Sequence, residues 1–190
     1  EMCIRDRSKE LALKKYTQAY LASVAFADDR VGELLEALEN SKFANNTIII
    51  LFSDHGYNIG EKKYLWKYNL WEETTRVPLI IKAPKYNANA GKKVTHPVSL
   101  LDIYPTILSL TGNNVSKLKL NGIQQLDGFS LEPFLKNPKT KLWDGPDAAL
   151  TVIASWRSQL PERQHLSVRG KRYRYITVSY THLRAHETTV

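Results

Sequence analysis

The sequence predicts an α/β fold: a layered sandwich with a mostly parallel sheet, followed by the start of a small antiparallel subdomain. Three observations carry this. Thr47, Ile48, Ile49, Ile50, Leu51 and Phe52 form an unbroken β-branched and apolar run, the pattern of a strand buried on both faces of a parallel sheet. A helical pattern over Tyr16–Leu38 and a polar link over Asn40–Asn46 precede it, giving the helix–loop–strand order of a layered sandwich. Beyond residue 148 lie two strand-like stretches, the second loosely alternating, as in an antiparallel sheet with one wet face.

Composition bounds the function. Of 190 residues, 43% are apolar and 24% charged, ordinary for one folded core. Lys and Arg number 27 against 19 Asp and Glu, a formal charge of +8. Such a field suits an anionic substrate, and equally nucleic acid or an acidic surface. With no basic helix interleaved with aromatics, nucleic acid is not the expected partner. Nor is a membrane, because no apolar run approaches spanning length, and no secretory leader is readable at the start.

The ends read as foreign. Met2-Cys3-Ile4-Arg5-Asp6 can be encoded by ATG TGT ATA AGA GAC, whose reverse complement reads Val-Ser-Tyr-Thr-His, which is Val178 to His182. Antisense pentapeptides near both termini point to an inverted DNA repeat, similar to the transposon end used in sequencing libraries. The ends 1–7 and 178–190 are therefore expected to be adapter-derived, with 8–115 as the α/β layer. Cys3, the single cysteine, then falls outside the native part and says nothing of redox compartment.

In order, Leu21, Val24, Val31, Leu35 and Leu38 make an apolar helical stripe with Asp28 on the same face. A carboxylate buried there must be paired or hydrogen-bonded. Tyr57–Trp71 has no stable period and reads as an active-site loop; Trp66, Tyr68 and Trp71 read as cover for the core, or alternatively as a platform for a sugar ring. Val77–Ile81 is a second buried strand with Pro78 at its start, and Pro84–Lys93 is a surface loop. Leu100–Leu110 is a helix with Asp102 as its N-cap, Pro105 in the first turn and Gly112 at its end. His96 reads as a loop residue. Ala148–Ser155 and His165–Ile176 are the two later strands.

The chemistry begins where the apolar run stops, at Ser53-Asp54-His55-Gly56, because ligands in open α/β sheets bind beyond the carboxyl ends of strands. Asp54 offers a hard oxygen suited to calcium or magnesium. His55 is a more usual zinc ligand, or hydrogen-bonds a substrate oxygen. The same residues also suit a plain turn.

The longer pattern around these residues narrows the choice. The words S-D-H-G, N-x-G-E-K, Lys67 and W-E-E-x-T-R-V-P-L-I-I, then S-L-L-D-I-Y-P-T-I-L-S-L-T-G and D-G-F-S-L-E-P-F-L, resemble the sulfatase family, most closely its iduronate-2-sulfatase-like and choline-sulfatase-like bacterial members, over Tyr16–Ile176. The resemblance implies an alkaline-phosphatase-like α/β sandwich, with 116–177 as a truncated C-terminal subdomain, and hydrolysis of sulfate esters, on a sulfated glycan or a small ester. It implies Asp54 and His55 as ligands of one calcium ion and Lys67 as the lysine on the sulfate, with Lys67 and His55 in the catalytic group. His165, before V-R, is a further substrate contact, and Asp28 a structural anchor. Relatives of this kind imply a periplasmic or extracellular parent. The family's formylglycine motif, C/S-x-P-x-R, is absent, since Cys3 is followed by Ile4 and Arg5. The chain is therefore expected to carry the distal half of an active site and to be inactive alone. The alternatives are a phosphoesterase or phosphonate hydrolase of the same superfamily, or a non-catalytic module that binds sulfated glycans by charge.

Overall fold

The computed structural model of the chain describes residues 2–113, 126–154, 160, 164–178 and 181–187. Helix α1 spans Met2–Glu39, longer than the predicted window. It is rich in Ala, Leu, Lys and Glu, the good helix formers, and holds no proline. It stops at Asn40, whose backbone and side-chain amides both donate to the Glu36 carbonyl, at 3.1 and 3.0 Å. The predicted apolar stripe exists but is largely uncovered: Leu21 is 58% and Val24 50% exposed, Asp28 faces solvent, and only Val31 and Leu38 of the stripe are half-buried. Periodicity identifies the apolar side of a helix without saying whether anything lies against it.

Strand β1, Ile49–Phe52, comes after the turn, and its partner corrects the predicted parallel sheet. β1 pairs antiparallel with β4, Leu79–Lys82, Ile49 opposite Lys82 and Phe52 opposite Leu79. Among the described residues no strand pair is parallel. Nor is β1 buried on both faces, Leu51 being 40% and Phe52 48% exposed. A continuous apolar run marks two apolar faces but carries no information on its neighbour's direction. That direction comes from the connection, which folds back through the hairpin of β2 (Asn58–Ile59) and β3 (Leu65–Trp66) and the one-turn α2 (Glu72–Thr75).

Past β4 the predicted surface loop contains a 3₁₀ turn, Pro84–Asn89. The predicted helix divides into a 3₁₀ turn, Leu100–Asp102, and α3, Ile103–Leu110. Its start is capped by Ser99 rather than Asp102. Asp102 is the far member of a capping box, accepting the Ser99 amide at 2.7 Å. Its second oxygen accepts the Phe129 amide at 2.8 Å, tying α3 to the segment before α4, Glu132–Lys136. Thr106 accepts the Leu131 amide at 2.8 Å beside it. The buried apolar residues Ile103, Leu131 and Phe134 lie around this junction. Gly112, with φ 75°, ends the helix as expected.

The antiparallel end is larger than predicted. His165–Ile176 is a hairpin, not one strand: β6 (His165–Arg169) and β7 (Tyr173–Val178) turn at 170–172, closed by the Gly170 amide on the Tyr173 carbonyl at 2.9 Å. β5 (Ala149–Ile153) flanks β6, and β8 (Thr181–Glu187) flanks β7, in the order β5-β6-β7-β8. The backbone of 181–187 is thus part of this sheet and that of 2–7 part of α1. The expected boundary at 115/116 lies outside the described residues. Among those residues no helix is long and apolar enough to cross a membrane.

Candidate active site

After β1 the chain bends sharply. Ser53 Oγ donates to the His55 carbonyl at 2.7 Å, and Asp54 Oδ1 accepts the His55 amide at 3.0 Å. The next amide, Gly56, donates to Thr74 of α2 at 2.9 Å. A Cβ on Gly56 would lie 2.0 Å from the Glu73 carbonyl oxygen. Glycine is what lets the loop run flush against α2.

This bend orients the imidazole. His55 Nδ1 lies 2.9 Å from the Gly56 carbonyl. A carbonyl only accepts, so Nδ1 carries the proton and Nε2 presents its lone pair. Lys67 Nζ donates to that lone pair at 2.5 Å, and Asp54 Oδ2 lies 3.5 Å from Nε2. Three residues singled out from the sequence, Asp54, His55 and Lys67, thereby meet at one point.

Lys67 arrives there on a strained path. Lys62, Lys63 and Trp66 adopt φ of 53°, 58° and 93°, a region that costs a non-glycine residue about 1–3 kcal/mol. A polar knot just beyond holds the strain. Asn69 donates to the fully buried Asn58 at 2.6 Å, and its own oxygen accepts from the Trp71 amide at 2.9 Å and Thr74 Oγ1 at 2.7 Å. Trp66 and Tyr68 do not cover the core, being 66% and 52% exposed. Trp71 is half-buried, with the Tyr64 ring edge-on at 5.5 Å and Lys62 Nζ 4.7 Å from its centre.

The cluster opens into a groove of about 1470 Å³, whose wall also includes Glu72, Arg169 and Arg174. His165 does not line it; it starts β6 opposite Ile153. Glu72, Arg169 and Arg174 are not among the residues the sequence points to. Their signal is present in the W-E-E word and in the arginines of the last strand, but nothing in the sequence pairs them. Burial pushes the Glu72 carboxyl up, and the Arg174 and Arg169 guanidiniums overcome this and hold it below the ordinary carboxylate value. His96 is more engaged than a loop residue need be: Nε2 lies 3.1 Å from Asp147 Oδ1 and the ring packs on Phe134 and Trp143.

For a metal, Asp54 offers its carboxylate freely, 82% exposed, with His55 beside it. Among the described residues no third His, Cys, Asp or Glu joins them. Calcium takes six to eight oxygen ligands, so these two donors do not make a calcium shell by themselves. The arrangement does suit an anion at the exposed Lys67 ammonium, whereas the Arg169 and Arg174 guanidiniums in the same wall are turned onto Glu72.

Comparison with known proteins decides the family. A sulfatase family model matches residues 4–113, more than half of the chain. The chain belongs to the sulfatase family. A second model, the C-terminal region of N-sulphoglucosamine sulphohydrolase, matches residues 60–187. A sulfatase of Formosa agariphila is 43% identical over 141 residues, 70% of this chain and 27% of that protein. The human iduronate 2-sulfatase is 30% identical, covering 88% of this chain and 38% of its own length. Among solved structures, one captured with its substrate D-glucosamine-2-N,6-O-disulfate superposes with a TM-score of 0.68 at 28% identity, over 88% of this chain and 33% of that one. A phosphonate monoester hydrolase of Agrobacterium radiobacter superposes with a TM-score of 0.70 at 26% identity, over 86% and 33%. This sulfatase-family chain therefore spans about a third of the length of the relatives it matches.

Proposed function

We propose that the chain supplies the distal half of the active site of a sulfuric ester hydrolase, acting on a sulfated glycan or a small sulfate ester. The observation that carries this is the junction of Lys67 with His55 and Asp54 at the end of β1, open to the groove. Lys67 is the sulfate-holding cation, since a compact ammonium neutralises charge developing on the sulfate oxygens. His55 orients Lys67 through Nε2 and so sets where the ammonium meets the substrate. Asp54 would contribute an oxygen to a calcium ion completed by ligands elsewhere in the full-length protein, and that ion would neutralise sulfate oxygens. The nucleophile motif is absent from the sequence, so the chain alone binds without turning over.

A second reading, hydrolysis of phosphonate or phosphate esters, is favoured by the likeness to the phosphonate monoester hydrolase. Titration calorimetry of the chain with glucosamine 6-sulfate, glucosamine 6-phosphate and glucosamine separates them. The sulfatase reading expects the sulfate ester to bind, the unsubstituted sugar not to, and Lys67→Ala to weaken that binding at least tenfold. Preference for the phosphate ester supports the second reading. Binding to a sulfated polysaccharide that survives both Asp54→Ala and Lys67→Ala overturns both in favour of a charge-driven glycan-binding module.

A further inference from the structure

Arg174 is a buried cation 102 residues from the carboxylate it meets. Its side chain is 4% exposed, and NH2 and Nε donate to Glu72 Oε2 at 2.5 and 3.2 Å. Its remaining reach goes to the Leu70 carbonyl at 3.1 Å and Ser167 Oγ at 2.8 Å. Arg169, on the neighbouring strand, donates Nε to the same Glu72 oxygen at 3.2 Å. A planar guanidinium satisfied on three sides specifies geometry in a way a surface ion pair does not.

Both anchored residues, Leu70 and Glu72, belong to the short segment that leaves Lys67. That segment carries the strain at Trp66 on one side and the Asn58–Asn69–Thr74 knot on the other. We propose that the β6–β7 hairpin is a positioning element of the active site: through Arg174, with Arg169 beside it, it grips Glu72 and Leu70 and so holds Lys67 against His55. The residues of the grip act through Lys67 and are not themselves catalytic. The inference rests on the reading of Lys67 as the sulfate-holding cation, but its test does not.

The test uses the full chain labelled with ¹⁵N-histidine. Long-range ¹H–¹⁵N spectra report which ring nitrogen carries the proton and whether the other accepts a hydrogen bond. In the wild type, His55 gives the Nδ1–H pattern with an Nε2 that accepts from Lys67. Glu72→Gln keeps the side-chain shape and a neutral acceptor, and is expected to fold. It loosens the grip, and the His55 Nε2 resonance moves to the position it takes in Lys67→Ala. Arg174→Met shifts it as far or further. Arg30→Ala, which breaks an exposed pair on α1, leaves it in place. His96, whose partners are Pro97 and Asp147, is the internal reference. If Glu72→Gln folds with the His55 signals of the wild type, the proposal is overturned, whatever Arg174→Met does. The sulfate arm is separate: if the wild type shows the expected His55 pattern yet binds no glucosamine 6-sulfate, the proposed function fails and the positioning role stands. If both hold, Glu72→Gln weakens that binding about tenfold.

Discussion

Lys67 and His55 meet head to head, Nζ to Nε2 at 2.5 Å, across the mouth of the groove. The pairing is possible only because the other ring nitrogen is spent on the Gly56 carbonyl. Lys67 keeps two further N–H donors for an incoming anion while the imidazole fixes where the ammonium sits.

Lys67→Ala is expected to lower affinity for glucosamine 6-sulfate at least tenfold, about 1.4 kcal/mol, with the fold retained because Lys67 is exposed. Lys67→Arg recovers only part of it, since the wider planar fork cannot occupy the same point against His55. Calorimetry of the three proteins checks this.

Gly56→Ala forces a methyl onto the Glu73 carbonyl, at 2.0 Å. The loop or α2 must shift, and the Gly56–Thr74 hydrogen bond is lost with it. The expected cost is about 1–3 kcal/mol, read as a lower urea midpoint, with the His55 tautomer signature disturbed as well.

Asp102 is 2% exposed and accepts two backbone amides from different segments. Asp102→Ala leaves two half-buried donors without their partner, at a total cost of about 1–3 kcal/mol. Urea denaturation should show a larger loss for Asp102→Ala than for Asp28→Ala, whose carboxylate faces solvent.

Glu132 gives the chain an acid-sensitive joint. Burial pushes its carboxyl up, but hydrogen bonds from Ser109 and Tyr86 and the charges of Lys136 and Lys85 prevail and lower it to about 2. A folded value below the unfolded one contributes stability that is complete above about pH 4.5 and lost as pH falls through about 2. The wild type should therefore lose more stability than Glu132→Gln between those two values. Equal losses would show that the joint of Pro84–Asn89, α3 and α4 does not depend on this charge.

Tyr57 should resist ionisation. Its hydroxyl shares a 2.5 Å hydrogen bond with Tyr16 of α1, and that bond, followed by burial, raises it to about 12. Because the protonated form is favoured in the folded chain, the contribution is complete below about pH 10 and lost as pH rises through about 12. An ultraviolet titration of the wild type minus Tyr57→Phe should place this phenolate near pH 12, and Tyr16→Phe should bring it down.

Some of this was legible residue by residue. The run Thr47–Phe52 announced a strand and the residues after it a polar site, because side-chain periodicity and chain punctuation are local properties. Asp54, His55 and Lys67 were legible as a group through the length of the sulfatase-like pattern, and the structure brings the three together. The third dimension of the site was not. Glu72, Arg169 and Arg174 lie up to 102 residues apart, and no local pattern links a carboxylate at the start of α2 to a guanidinium on a distant strand. The direction of β4 relative to β1 escaped for a related reason, since an apolar run looks the same beside a parallel or an antiparallel neighbour.

The sequence by itself determined the family, the main helical and strand-forming runs and the chemical types available, because those depend on residue identity and short-range spacing. Only the tertiary structure decided which nitrogen of His55 faces Lys67, that β1 and β4 run antiparallel, and that a buried arginine ties the β6–β7 hairpin to the segment after the lysine. Those depend on hydrogen-bond directions and on contacts between segments far apart in the chain. Such contacts are won by the whole packed arrangement and not by any stretch within it.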